Sequence, residues 1–289
     1  MPATPSRHPH ALDALHAPHA PRDQAHGLRQ LFAGREMRFI PLVHNPHVDG
    51  AGVVMERLCA AFTAQRLRTL VVDAADSASP PHQLASVDLA ACVEPLSPWV
   101  SYLAARGLPM AYLDGRATLT AFLEALRSAA PQADVVLVHA GALDLRRMFI
   151  GRTPRPLLLA GARPESLTHA YTSMKQLSQR LGTLAYGLVV AGDVAAGRAR
   201  RMADRLEVCG DHFLGAALRD LAVVDPQGSP HAALPEDLLT LAAGLLAPSA
   251  AAVGANPLAV LPLPLPLPLP LPLGSSAPTR RPAAAGRLN

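Results

Sequence analysis

The sequence predicts an α/β protein of three layers, with a mainly parallel sheet covered by helices on both faces. Three observations carry that prediction. From Arg38 onward, short apolar runs alternate with amphipathic stretches, the pattern of strands linked by crossover helices. Half of the 289 residues are hydrophobic and only 17% are charged, enough for a sizeable core. Aromatic residues make up only 4%, so that core must be built from Leu, Val and Ala. Such a composition suits a helix-rich α/β protein better than an all-β sandwich.

The runs that read as strands are Phe39–Val43, Thr69–Asp73, Pro109–Leu113, Val135–Val138, Pro156–Ala160 and Leu184–Ala191. The stretches with helical spacing are Val53–Gln65, Trp99–Arg106, Leu119–Ala129, Pro164–Leu181 and Ala195–Leu206. Sites in such sheets lie beyond the C-terminal ends of the strands. That selects the segments after Val43, Val72, Val138 and Val190. Pro235–Leu246 reads as a further helix, with Leu238, Leu239, Leu241, Leu245 and Leu246 on its apolar side. Its polar side holds Glu236, Asp237 and Thr240 and no Lys or Arg, which favours packing over attachment to anionic lipid.

Two tails flank this body. Residues 1–22 are rich in His, Pro and Ala without periodicity and read as disordered. His8, His10, His16 and His19 lie in that tail without the preorganised spacing a metal site needs. Residues 248–289 form the second tail, and Leu261–Leu273 within it is a strict Leu-Pro alternation. It is apolar enough to imitate a membrane span. Every second residue lacks an amide donor, however, so it cannot be a membrane helix. Polyproline II or disorder is expected. A spacer, a ligand for a proline-recognition domain and a low-complexity expansion are all open readings.

The net charge of +4 comes from arginines spread through helices and tails. They lack the aromatic interleaving of a nucleic-acid groove, so a solvated basic surface is expected. Cys59, Cys92 and Cys209 form no CxxC pair and read as free thiols in a reducing cytoplasm. The N-terminus has no apolar signal-peptide core.

The sharpest local signal follows the first strand. Phe39–Val43 leads into a loop with Gly50 and Gly52, then a helix, then the strand Thr69–Asp73. This is the layout in which loop amides and a helix N-terminus cradle phosphates. It resembles the MinD/ParA class of P-loop proteins, where the second strand reads VLLVDxD. Counting back from Asp73 at the family spacing places the phosphate loop at Asn45–Gly52, where the family reads GKGGVGKT.

The resemblance implies ATP and magnesium as family ligands and, in the same comparison, their loss here. Ala51 stands where a lysine would reach the β- and γ-phosphates, and Gly52 where a hydroxyl would hold magnesium. Pro46 stands where a second lysine would reach a dimer partner's nucleotide, and Asp49 adds a repelling charge. Ala75 replaces the second acid of the VDxD run. His139 follows the third strand, where a DTPAG aspartate is usual. Ala191-Gly192-Asp193 replaces the region of the adenine-binding asparagine. The expectation is a degenerate nucleotide site comprising Pro46, Gly50, Ala51, Gly52, Asp73, Ala75 and His139, without ATPase activity, cofactor or metal. His44, His47, Asp49 and His139 could instead form a metal or acid–base site, or be polar loop residues left once nucleotide was lost.

Two further segments resemble one branch of that class, the flagellar number regulators of the FlhG/FleN type. Asp23-Gln-Ala-His-Gly-Leu-Arg-Gln-Leu31 matches their DQAxxLR activator motif, placed before the first strand as in the family. Leu157–Tyr171 and Met174–Leu177 are similar to the family stretch PEPTSLTDAYALIK, with His169 where Asp is usual. The resemblance implies that Asp23, Gln24, Ala25, Leu28 and Arg29 engage the SRP-type GTPase FlhF and stimulate its hydrolysis. The residues themselves read as a short helix over 23–34 with Asp23 as N-cap and Gly34 as its end. It is marginal alone and suited to folding on a partner. The domain proper is expected over 37–247. A non-hydrolysing regulator of flagellar number or placement is the resulting expectation, cytoplasmic and recruited to the cell pole or the inner face of the membrane, with other flagellar or transcriptional partners. A divergent ATPase cycling on and off the membrane, and a partitioning protein, are the rival readings.

Overall fold

A computed structural model of the chain describes residues 37–192, 197–229 and 232–247; the expected activator helix and both tails lie outside them. The described strands are β1 (Arg38–Val43), β2 (Thr69–Asp73), β3 (Glu94–Pro95), β4 (Val100–Ala104), β5 (Val135–Ala140), β6 (Leu157–Gly161), β7 (Ala185–Ala191) and β8 (Ala217–Val224). The helices are α1 (Ala51–Ala64), α2 (Thr120–Ala129), α3 (Ala142–Met148), α4 (Pro164–Leu181), α5 (Arg198–Leu214) and α6 (Glu236–Leu246). The strands form one sheet in the order β3-β4-β2-β5-β1-β6-β7-β8. Only β3 runs antiparallel to its neighbour; the remaining pairs are parallel.

Both faces of the sheet are covered, which is why the central strands read as unbroken aliphatic runs. Val136, Val138 and Ala140 of β5 join a core with Phe122, Leu145, Met174 and Leu206 from α2, α3, α4 and α5. Val135 and Leu137 face the other way, against Leu58 and Phe62 of α1 and Leu238 and Leu241 of α6. Each such leucine, fully withdrawn from water, contributes about 1.5–3 kcal/mol. The three-layer α/β expectation is met.

Pro41 sits in β1 at the centre of this sheet, a position that normally excludes proline. The ladder explains the exception. Arg38 and His44 donate their amides toward the β5 side, to Asp134 and Ala140, so the odd-numbered residues between them face β6. Pairing with β6 starts only at Leu42. The missing donor at Pro41 therefore has no strand to reach.

Two expected elements change type. Trp99–Arg106 was expected as a helix; Val100–Ala104 is instead β4, parallel to β2. Val100 and Tyr102 suit a pleated surface, and pairing with β2 outweighs the weak helical spacing. Pro109–Leu113 was expected as a strand, whereas Leu108–Tyr112 is a 3-10 helix entered through Gly107 at φ 73° with Pro109 in its first turn. The helix expected at Ala195–Leu206 is found in part, with α5 running on to Leu214 and stopping at Gly215 in the left-handed conformation.

Helix α6 packs as its sequence suggests. Leu238, Leu241 and Leu245 are buried, and Asp237 accepts a hydrogen bond from the Val223 amide of β8 at 3.0 Å. Beneath it Arg155 and Asp220 pair at 2.9 Å. Gly244 makes room for that pair, since a Cβ there would come within 2.9 Å of both side chains. No helix among the described residues is long and apolar enough to cross a membrane.

Candidate functional site

The C-terminal ends of β1, β2 and β5 lie side by side, and the candidate residues gather there. His44 extends β1 by donating its amide to Ala140. Next to it Asn45, only 2% exposed, turns its side chain into the protein. Its Nδ2 donates to the Leu159 carbonyl at 2.8 Å, the Ser166 carbonyl at 2.9 Å and Ser166 Oγ at 3.1 Å. Its Oδ1 accepts the His47 amide at 3.1 Å. The Val48 amide donates to the Asn45 carbonyl, and the Val48 side chain is buried in the α1 core.

That arrangement determines where the first amides of the loop point. A loop that cradles phosphate turns successive N–H groups outward toward the anion. In this loop Pro46 has none, while His47 and Val48 donate inward. Asp49 is exposed and pairs with Arg163 at 2.6 Å, a surface contact of small energy. Gly50 caps α1 at φ 78°, and Pro226 sits so close that a Cβ on Gly50 would come within 2.6 Å of it. Ala51 is half-buried and Gly52 exposed in the first turn of α1. The predicted loop residues are therefore brought to one place, though folded on themselves.

Three side chains from neighbouring strands form a hydrogen-bonded chain beside the loop. His139 is part of β5 rather than the residue after it, and stands in register with Asp73 of β2. Its Nδ1 donates to Asp73 Oδ1 at 2.8 Å, because a carboxylate only accepts. Its Nε2 meets His44 Nδ1 at 3.3 Å. Burial and then the His139 ring hold the His44 imidazole below the ordinary histidine range, partly opposed by Asp76 and Asp73. Tyr102 of β4 lies close enough to Asp73 to feel its charge, and its phenol is pushed up by burial and then by that carboxylate. Ala75 is fully buried just beyond.

A second imidazole pair flanks the loop, with the His47 and His169 rings 6.0 Å apart. Burial, then His47, lowers the His169 value, and its Nδ1 is buried without a partner. Among the described residues no three His, Cys, Asp or Glu side chains are placed to share a metal ion. The cluster can hold and pass protons; a cation site is not formed there. The sequence reading set Asn45 at the start of the loop without anticipating its buried hydrogen bonds, and it did not single out Tyr102. Asp23, Gln24, Ala25, Leu28 and Arg29 lie outside the described residues.

No protein-family model matches the sequence, and no curated protein matches it. Solved structures do match. MinD from Aquifex aeolicus, in its MinC:MinD complex, superposes with a TM-score of 0.51 at 12% identity, over 73% of this chain and 96% of that one. MinD of the same organism alone gives 0.50 at 12% identity, over 73% and 98%. A ParA family ATPase from Chlorobium tepidum gives 0.49 at 13%, over 72% and 98%. The fold is of the MinD/ParA type. At such identity the likeness speaks for the architecture alone.

Proposed function

We propose that the chain is a non-hydrolysing MinD/ParA-like regulator of flagellar number or placement that acts by protein contact. The observation supporting loss of nucleotide chemistry is the inward course of the loop: Asn45 fills it, and the His47 and Val48 amides are spent on Asn45. With Ala51 and Gly52 where the family has Lys and a hydroxyl, the loop lacks the ammonium and the hydroxyl that would hold phosphate and magnesium. Asp49 would meet an incoming phosphate with like charge.

The flagellar assignment rests on Asp23–Leu31 and its likeness to the activator motif. In this reading that segment folds against an SRP-type GTPase of the FlhF kind, and Gln24 helps orient the water that attacks GTP. The α/β domain then serves as scaffold or second contact surface, in the cytoplasm or at the cell pole.

GTP turnover by the partner GTPase, measured with the full chain, with a 20–35 peptide and with Gln24→Ala, tests the reading. Stimulation by chain and peptide that is lost in Gln24→Ala is the expected result; no stimulation by either ends the activator role. Calorimetric titration with Mg-ATP tests the other half. Tight magnesium-dependent binding would move the assignment to an ATPase that cycles between monomer and membrane-bound dimer.

A further inference from the structure

Between α4 and α5 the surface opens into an apolar groove of about 550 Å³. Leu167 and Tyr171 of α4 form one wall; Leu206, Val208 and Cys209 of α5 form the other. Val208 is 67% exposed there, amid the charged residues Asp204, Arg205, Glu207 and Asp211 of the same helix.

We propose that the Leu-Pro tract of the same chain, Leu261–Leu273, docks in this groove. Chemistry, reach and charge support that occupant. The tract carries seven leucines separated by six prolines. Prolines at every second position deny it the amide donors for helix or sheet, so its leucines cannot be buried by local folding. A sequence with proline at every second position has little backbone freedom to lose on docking.

Reach is sufficient. Helix α6 ends at Leu246, and residues 248–260 precede the tract. Extended, those thirteen residues span up to about 43 Å. Helices α5 and α6 lie against opposite faces of β8, the last strand of the sheet. The path from α6 to α5 therefore rounds a single sheet edge. Charge also discriminates between the chain's two outlying segments. The 23–34 segment carries Asp23 and Arg29, whereas the tract is uncharged and matches the apolar part of a groove that Asp204 and Arg205 border. Covalent attachment raises the tract's effective concentration to about the millimolar range, so modest contacts suffice.

Cys209 supplies the probe, since it is exposed on the groove wall while Cys59 and Cys92 are buried. Its reaction rate with a small maleimide would be compared between the full chain and a full-length variant carrying Leu265→Asp, Leu267→Asp and Leu269→Asp. Docking predicts slow modification in the wild type and at least a tenfold faster rate in the variant, with Cys59 and Cys92 slow in both. A second arm places Leu267→Cys in the full chain, where mild oxidation is expected to give an intrachain disulfide with Cys209. Equal Cys209 rates in the two chains overturn the proposal. So does protection that appears only as protein concentration rises, which would identify a second copy as the occupant.

Discussion

Asp73 and His139 meet at 2.8 Å across two adjacent parallel strands, a carboxylate bound to an imidazole that is 2% exposed. The contact orients the His139 ring and sets its far nitrogen against His44. Three strands are thereby tied together by side chains at the edge of the sheet where ligands of this fold class are held.

Removing the imidazole should leave a largely buried carboxylate with a weakened shell of partners. His139→Ala is expected to cost about 2–4 kcal/mol in denaturant unfolding. Asp73→Ala combined with His139→Ala should cost clearly less than the sum of the single changes. Strict additivity would show that the two side chains do not interact.

Acid should weaken the fold through the neighbouring imidazoles. His44 faces His139, Asp76, Asp73 and His169, and both His44 and His169 are held below 6.5 in the folded chain. Between those lowered values and 6.5 the unfolded chain therefore binds more protons than the folded one. This contribution to stability is present above 6.5 and lost as pH falls through the window below it. Melting temperatures measured from pH 7.5 down to 5 should decline, and His44→Gln should flatten the decline. A melting temperature that rises on acidification over that range contradicts the assignment.

Asn45 offers a test of the loop's inward course. Asn45→Asp keeps the shape but sets a carboxylate oxygen against the carbonyls of Leu159 and Ser166. It should destabilise more than Asn45→Ala, which is expected to cost about 1–3 kcal/mol for the partners left unpaired. Chemical denaturation of the three chains gives the order directly; Asp tolerated better than Ala would mean that the side chain points elsewhere.

Much of the sheet was legible because β1, β2, β5, β6 and β7 are buried on both faces and so carry aliphatic runs. Strand β4 was not. It lies next to the two-residue antiparallel edge strand β3, its residues are half-exposed, and the segment Trp99–Arg106 fits helical spacing as well as alternation. The site shows the same division. Asp73 and His139 were each picked out, yet their contact depends on β2 lying beside β5, a pairing of residues 66 positions apart. The inward role of Asn45 was hidden for the same reason: its partners at Leu159 and Ser166 are 114 and 121 residues away. Local pattern reveals elements; it does not reveal which of their ends become neighbours.

Restoring the missing side chains alone should not restore a nucleotide site. Ala51→Lys with Gly52→Thr supplies the ammonium and hydroxyl, but the His47 and Val48 amides remain committed to Asn45. Calorimetry with Mg-ATP is expected to show no tight binding to this double variant. Micromolar binding would mean that the loop opens readily, and that its inward course is no barrier.

Gly244→Ala should loosen α6. The added methyl would press on Arg155 and Asp220 at 2.9 Å, and overpacking of this kind costs about 1–3 kcal/mol. Faster amide exchange across Glu236–Leu246 is the expected signature, while unchanged protection would show that the ion pair yields without cost.

Pro41 bears on how the chain reaches its fold. Strand β1 is near the start of the domain, yet its partners β5 and β6 lie about a hundred residues downstream. During synthesis the Phe-Ile-Pro-Leu-Val segment therefore waits, exposed and apolar, until most of the domain has emerged. An uninterrupted aliphatic strand in that position would readily pair with strands of other nascent chains. The proline interrupts such pairing on one flank while leaving the β5 side free to receive its proper neighbour.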